Sequence, residues 1–149
     1  MKKIYLETPV QVNLVPLIEG FNSSLLTRLQ PPLGEMTLTR YDGNSVGDEI
    51  HIEIHLMGQT VNWVSVIAEE KQSAQEYTFV DVGRELPFPL SYWHHRHTLK
   101  QVSDGRSLII DEVEFECRPA LLEWAVKPMM LWMFKSRVPI YQKYFAEKK

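Results

Sequence analysis

Glu49-Ile50-His51-Ile52-Glu53-Ile54-His55-Leu56 places aliphatic side chains on one face and charged or imidazole side chains on the other. A period of two over that length is the pattern of an antiparallel strand with one face buried and one in water. The same period extends from Glu35 to Cys117, interrupted by turn-forming clusters at Tyr41-Asp42-Gly43-Asn44, Met57-Gly58-Gln59, Glu70-Lys71-Gln72, Gly83 to Pro89, and Ser103-Asp104-Gly105. Those breaks predict six strands. Val61, Trp63, Ser65 and Ile67 share a face on one of them, and Tyr77, Phe79 and Asp81 share a face on the next, so rings point inward.

Outside this block the period changes. Ile4 and Leu6 alternate with Lys3, Tyr5 and Glu7, which predicts a short first strand. Thr8-Pro9-Val10-Gln11 reads as a capping box with proline at the first helical position, so a helix is expected from there, kinked at Pro16 and ended by Gly20. Asn22-Ser23-Ser24 caps a second short helix that carries Leu25, Leu26 and Leu29 and stops at Pro31-Pro32. Beyond the sheet, Pro119 is expected to open a long helix with Leu122, Ala125, Val126, Met129 and Met133 as its inward stripe. Glu123 and Lys127 would form an exposed pair, Pro128 would bend the helix, and Pro139 would break it before a basic tail ending at Lys149. The order β-α-α-β6-α defines an α+β chain. Its seven-stranded antiparallel sheet needs one face covered, and the last helix is the element long enough to cover it.

Composition narrows the function classes. At 149 residues and 17.4 kDa the whole chain, 1–149, fits one domain, and an apolar fraction of 44% supports a sizeable core. A net charge of −3 leaves no uniform basic field for a phosphate backbone, which argues against nucleic acid as partner. Cys117 is the single cysteine, so neither an internal disulfide nor a paired-cysteine zinc site can form, and a reducing cytoplasm is expected. Glu7 and Pro9 come too early for a signal-peptide core, and the longest apolar run, Met129 to Phe134, is far short of the about 20 residues of a spanning helix. No stable membrane insertion is expected. The aromatic share is 11%, with four tryptophans, of which Trp63, Trp93 and Trp124 read as inward and Trp132 stays unassigned.

The chain resembles the SRPBCC superfamily, the helix-grip proteins that include START-like lipid binders, pollen-allergen-like proteins and polyketide cyclase-like proteins. The residues that carry the resemblance are Leu29-Gln30-Pro31-Pro32, Val46-Gly47-Asp48, Trp63 with Ile67, Phe79-Val80-Asp81, Trp93-x-His95-x-His97, and Asp111-x-Val113-x-Phe115. One feature departs from the pattern: Leu86-Pro87-Phe88-Pro89 stands farther from the tryptophan than the usual Gly-Pro-aromatic turn. The resemblance implies a curved sheet gripping the long helix around a cavity for a small hydrophobic or amphipathic molecule, lipid-, polyketide- or isoprenoid-like, with no cofactor.

Trp93, His95 and His97 are two apart and share a strand face, as do Asp111, Val113 and Phe115 on the following strand. Pairing residue 103 with 105 across the turn sets His97 opposite Asp111, His95 opposite Val113 and Trp93 opposite Phe115, and places Arg96 against Glu112 and His94 against Glu114 outside. Four roles fit the inner group. It is a hydrogen-bonded core pair, the polar end of a ligand site, a cyclase- or dehydratase-type general acid/base with His95, His97 and Asp111, or a metal site completed by Asp111. Metal is the weakest of these, because Gln101 stands where a cupin-like pattern would have a glutamate. The ligand-binding candidates are Trp63, Phe79, Trp93, His95, His97, Asp111, Phe115, Val126, Met129 and Met133. Leu131 and Phe134 fall toward the Glu123-Lys127 side, where they would form an apolar patch for a homodimer or another protein. The basic end, with Lys135, Arg137, Lys143, Lys148 and Lys149, reads as a solvated helix end.

Overall fold

The computed structural model describes residues 1–147. Strands β1 (Lys2–Val10), β2 (Glu35–Tyr41), β3 (Glu49–Leu56), β4 (Gln59–Gln72), β5 (Glu76–Glu85), β6 (Leu90–Ser103) and β7 (Arg106–Cys117) form one antiparallel sheet in the order β1-β7-β6-β5-β4-β3-β2. Consecutive strands from β2 to β7 are neighbours, so short turns join them, and β1 crosses to the far edge beside β7. Helices α1 (Leu14–Gly20) and α2 (Ser23–Arg28) fill that crossing, and α3 (Glu123–Ala146) covers the inner face. This is the helix-grip arrangement.

The chain start departs from expectation. β1 runs on through Thr8 and Pro9, which face Ile109 and Leu108, and α1 begins only at Leu14. A proline is compatible with β1 because an edge strand has one side on which no ladder donor is required. Asn13 precedes α1, its side-chain oxygen taken by Gln101 and the Gly105 N–H, and Pro16 falls in the first turn, where its missing donor costs nothing. Gly20 then meets α3 closely, for a Cβ there would stand 2.5 Å from a ring carbon of Phe145. Asn22 caps α2 as expected, accepting from the N–H groups of Ser24 and Leu25. β4 continues through Glu70-Lys71-Gln72, and the turn lies at Ser73, whose N–H reaches the Glu76 carbonyl.

The C-terminal helix differs in start, face and end. Pro119 precedes a 3-10 turn, Ala120–Leu122, instead of occupying the first position of α3. Glu123 is buried, accepting the Cys117 N–H at 3.1 Å, so it forms no exposed pair with Lys127. The inward residues are Val126, Met130, Phe134, Tyr141, Tyr144 and Phe145, with Leu122, Leu131 and Met133 partly buried. Ala125 and Met129, expected inside, are exposed, and so is Trp124 at 75%. Phe134, expected outside, is 1% exposed and lies in the core. The helix also passes through Pro139 to Ala146 without a break. Pro128 and Pro139 are both exposed, so the carbonyls their missing N–H groups leave unpaired, those of Trp124 and Lys135, lie on a side that water reaches. Lys148 and Lys149 lie outside the described residues.

Two apolar clusters fill the space between sheet and helices. One gathers Leu17, Leu25, Ile67, Tyr77, Phe79, Leu99, Tyr141 and Phe145. The other gathers Trp63, Trp93, Val113, Phe115, Val126, Met130 and Phe134. Each fully buried aliphatic or aromatic side chain contributes about 1.5–3 kcal/mol relative to exposure, so the clusters fix α3 on the sheet.

Candidate functional site

The β6–β7 register is the one expected from pairing 103 with 105: His97 faces Asp111, His95 faces Val113, Trp93 faces Phe115, and the outer pairs are Arg96–Glu112 and His94–Glu114. The turn is different. Ser103 pairs with Arg106, and an irregularity between Gln101 and Ser103 returns the ladder to the same register at Gln101–Ser107.

Facing partners are not the hydrogen-bonded ones. His95 Nε2 contacts Asp111 Oδ1 at 2.8 Å, and His97 Nε2 contacts Asp81 Oδ2 on β5 at 2.6 Å. The other ring nitrogens lie farther off, His95 Nδ1 at 3.7 Å from Asp81 and His97 Nδ1 at 3.8 Å from Asp111. Trp93 Nε1 donates to the second oxygen of Asp81 at 3.2 Å. Asp81 faces His95 across the β5–β6 ladder, so both imidazoles reach diagonally along the sheet, one toward each neighbouring strand. With both carboxylates ionised, each Nε2 carries the proton it donates.

Rings hold this group in place. His97 stacks between Phe79, at 4.3 Å and 7°, and His95, at 3.6 Å and 28°. Phe134 meets His95 edge-on at 5.3 Å, and Trp63 meets Trp93 edge-on at 4.7 Å. Among the described residues no hydrogen-bond partner reaches His97 Nδ1 or Asp111 Oδ2, although both atoms are buried.

Burial disfavours charge on Asp81, but the His97 hydrogen bond, the charges of His95 and His97, and the Trp93 N–H outweigh it and hold its carboxyl below the ordinary value. Asp111 is shifted the same way: burial opposes, while the His95 hydrogen bond and the charges of His95, His97 and Arg137 prevail. His95 is pushed down by burial and then by the charge of His97, against the pull of the two carboxylates. All three groups have folded pKa values below their unfolded ones, so each contributes stability at neutral pH that is lost as pH falls. Loss is expected to begin near 6.5, where His95 takes up a proton in the unfolded chain, and to continue below 3.8 as the aspartates follow. Urea unfolding at a series of pH values checks this, and an unfolding free energy that stays level from pH 7 to pH 4 contradicts it.

A cavity of about 140 Å³ opens beside the group. On its walls are Ile50, Ile52 and Ile54 of β3, Trp63 and Ser65 of β4, and Phe21, Leu25 and Leu26 from the helical crossing, with Met133, Phe134 and Tyr141 of α3. Asp81, His95, His97, Trp93 and Arg137 form its polar end. Engineered apolar cavities of about 150 Å³ take up benzene, so the space suits a compact organic molecule.

Of the sequence candidates, Trp63, Phe79, Trp93, His95, His97 and Met133 line the cavity. Asp111, Phe115 and Val126 are buried but are not on its wall, and Met129 is 53% exposed on the opposite side of α3. Asp81 is the residue the candidate set lacked, although its face was readable from Tyr77 and Phe79. Arg137 and Tyr141 were also outside the set. The Tyr141 hydroxyl is raised well above its ordinary pKa by burial and by the charge of Asp111, with the Arg137 guanidinium pulling the other way. Asp81, His95 and His97 present donor atoms within 4.8 Å of one another, so the third group available to a metal is Asp81, not Asp111. A metal there would displace the proton shared by His97 and Asp81.

The class that fold and site define is a helix-grip protein with an internal cavity whose polar end is an Asp-His cluster. Comparison with solved structures bears out the fold. The chain is similar to the Zhui aromatase/cyclase from Streptomyces sp. R1128, with a TM-score of 0.72 at 10% identity over 94% of this chain and 90% of that one. It is similar to Ara h 8.0201, with a TM-score of 0.63 at 18% identity over 98% of each chain. A protein from Arthrobacter aurescens gives a TM-score of 0.69 at 13% identity, over 93% of this chain and 85% of that one. These proteins share the helix-grip fold with this chain. No family model matches the sequence, and no curated protein matches it.

Proposed function

We propose that the protein binds a small hydrophobic or amphipathic molecule, lipid-, polyketide- or isoprenoid-like, in the cavity between sheet and α3. The observation that carries this reading is the contrast within one cavity: mostly apolar walls from β3, β4, α2 and α3, and a cluster of titratable groups at Asp81, His95 and His97, with Asn22, Tyr41, Asn44 and Ser65 as neutral polar groups elsewhere on the wall. Pockets that hold small organic molecules are mostly apolar with a few placed polar groups. An ionised Asp81 accepts hydrogen bonds, which suits a ligand with a hydroxyl at one end. The aromatase/cyclase and Ara h 8.0201 likenesses agree with a cavity-based function in general.

Titration with 1-naphthol, a compact apolar probe with one hydroxyl, tests the reading. The probe should quench Trp63 and Trp93, and Ile52→Trp, which fills the cavity from β3, should weaken binding at least about tenfold, since a pocket that cannot hold the ligand loses its buried area. Trp132→Phe, on the outside of α3, should leave affinity unchanged. Equal binding by the Ile52 variant overturns the proposal.

One observation favours a second reading, catalysis of a cyclase or dehydratase kind. Asp81 accepts the His97 Nε2 proton at 2.6 Å and lies with both imidazoles on the cavity wall, so a carboxylate–imidazole pair borders the space where general acid–base chemistry would take place. His97→Gln should then lower turnover of a poly-β-ketone substrate about 10²–10⁴-fold, the usual range for loss of a general base. Absence of turnover by the native protein removes this reading and leaves ligand binding standing.

A further inference from the structure

The first half of α3, with the 3-10 turn before it, is apolar on its outer side as well as its inner one. Leu121, Trp124, Met129 and Trp132 are 76%, 75%, 53% and 52% exposed, and Ala125 and Pro128 are exposed beside them. Counted from Leu121, these residues stand at 0, 3, 4, 7, 8 and 11, which is one continuous helical face. Cations border it. Lys2 Nζ sits 4.6 Å from the centre of the Trp124 ring, and Lys135 and Lys143 are exposed farther along the helix. From Leu121 to Ala146 the sequence has one carboxylate, Glu123, which is buried and occupied by the Cys117 N–H. The chain as a whole carries −3, so this face has the opposite sign to the rest of the molecule.

We propose that this face docks on an anionic phospholipid surface. Trp124, Met129 and Trp132 would enter the boundary between headgroups and acyl chains, and Lys2, Lys135 and Lys143 would meet lipid phosphates. Tryptophan is favoured at that depth because its ring is apolar and its N–H is polar, and an apolar helix face bordered by lysines is the pattern of helices that lie in the membrane plane. Among the described residues no helix is long and apolar enough to cross a bilayer, so the contact is peripheral. Pairing the face with a second copy about a two-fold axis would bring lysines toward lysines with no exposed carboxylate on the helix to receive them, and that disfavours a dimer here. The proposal does not depend on what the cavity holds.

Co-sedimentation with vesicles of phosphatidylcholine and phosphatidylglycerol tests it, with pure phosphatidylcholine vesicles in parallel. Trp63 and Trp93 are already buried, so a blue shift on binding reports Trp124 and Trp132. The expected results are binding to the mixed vesicles, weak binding to the neutral ones, and release by salt. Lys135→Gln with Lys143→Gln should lower partitioning roughly 25-fold, at about fivefold per lysine near an anionic surface. Trp124→Ser with Trp132→Ser should abolish the blue shift while leaving thermal unfolding unchanged. Failure of the native protein to bind mixed vesicles, or equal binding by both variants, overturns the proposal. A dimer that Trp132→Ser dissociates and that ignores vesicles also overturns it, and assigns the face to a second copy.

Discussion

Replacement of His95 by leucine is expected to destabilise the fold by about 3–5 kcal/mol, the cost of leaving a buried carboxylate without its partner. Asp111 is fully buried and accepts its hydrogen bond from His95 at 2.8 Å. Without the imidazole its charge stays inside the sheet with one oxygen already unpartnered. The converse change costs less. Asp111→Leu leaves an unpaired imidazole, which burial already holds toward its neutral form, and a neutral orphan costs about 1–3 kcal/mol. The double variant removes both polar groups, so its loss should be smaller than the sum of the two single losses. Urea unfolding of the four proteins gives the cycle. A His95→Leu cost below about 1 kcal/mol, or strict additivity, would mean that the pair is not coupled as its geometry requires.

How far the sequence discloses this site depends on which physical signal carries each part. The inward face of β6 and β7 is legible because period two sorts Trp93, His95 and His97 from His94 and Arg96, and opposite charges on the outer face check the register. The hydrogen-bond partners are not legible, since a histidine side chain reaches one residue pair along the ladder as easily as straight across. Asp81 pairs with the group only because β5 is set against β6 in a register that the loop from Leu86 to Pro89 does not reveal by its length. Periodicity also fails on α3. A helix apolar on both sides has no polar face to mark its outside, so Met129 and Met130, or Trp124 and Val126, compete for the inward position without a deciding term. At the start, Thr8-Pro9 carries a true local preference for a helix start, and pairing with β7 overrides it.

Phe134→Ala separates a filled core from a site built to be filled. Phe134 is 1% exposed, stacks with Trp93 at a centroid distance of 6.3 Å, meets His95 edge-on, and has the Arg137 guanidinium 4.7 Å over its ring. Truncating so buried a ring is expected to cost about 3–5 kcal/mol, part transfer free energy and part the void left behind. Here that void adds to an existing cavity, because Phe134 already forms part of its wall. The variant should therefore take larger planar apolar ligands than the native protein does. Such a ligand at 100 times its dissociation constant returns about 2.7 kcal/mol to the folded state, so thermal unfolding of the variant should recover much of its loss when the ligand is added. A large loss with no recovery from any planar ligand would make the region around Phe134 ordinary core. It would then place the Asp-His cluster in a structural role, holding β5, β6 and β7 in register instead of receiving the polar end of a guest.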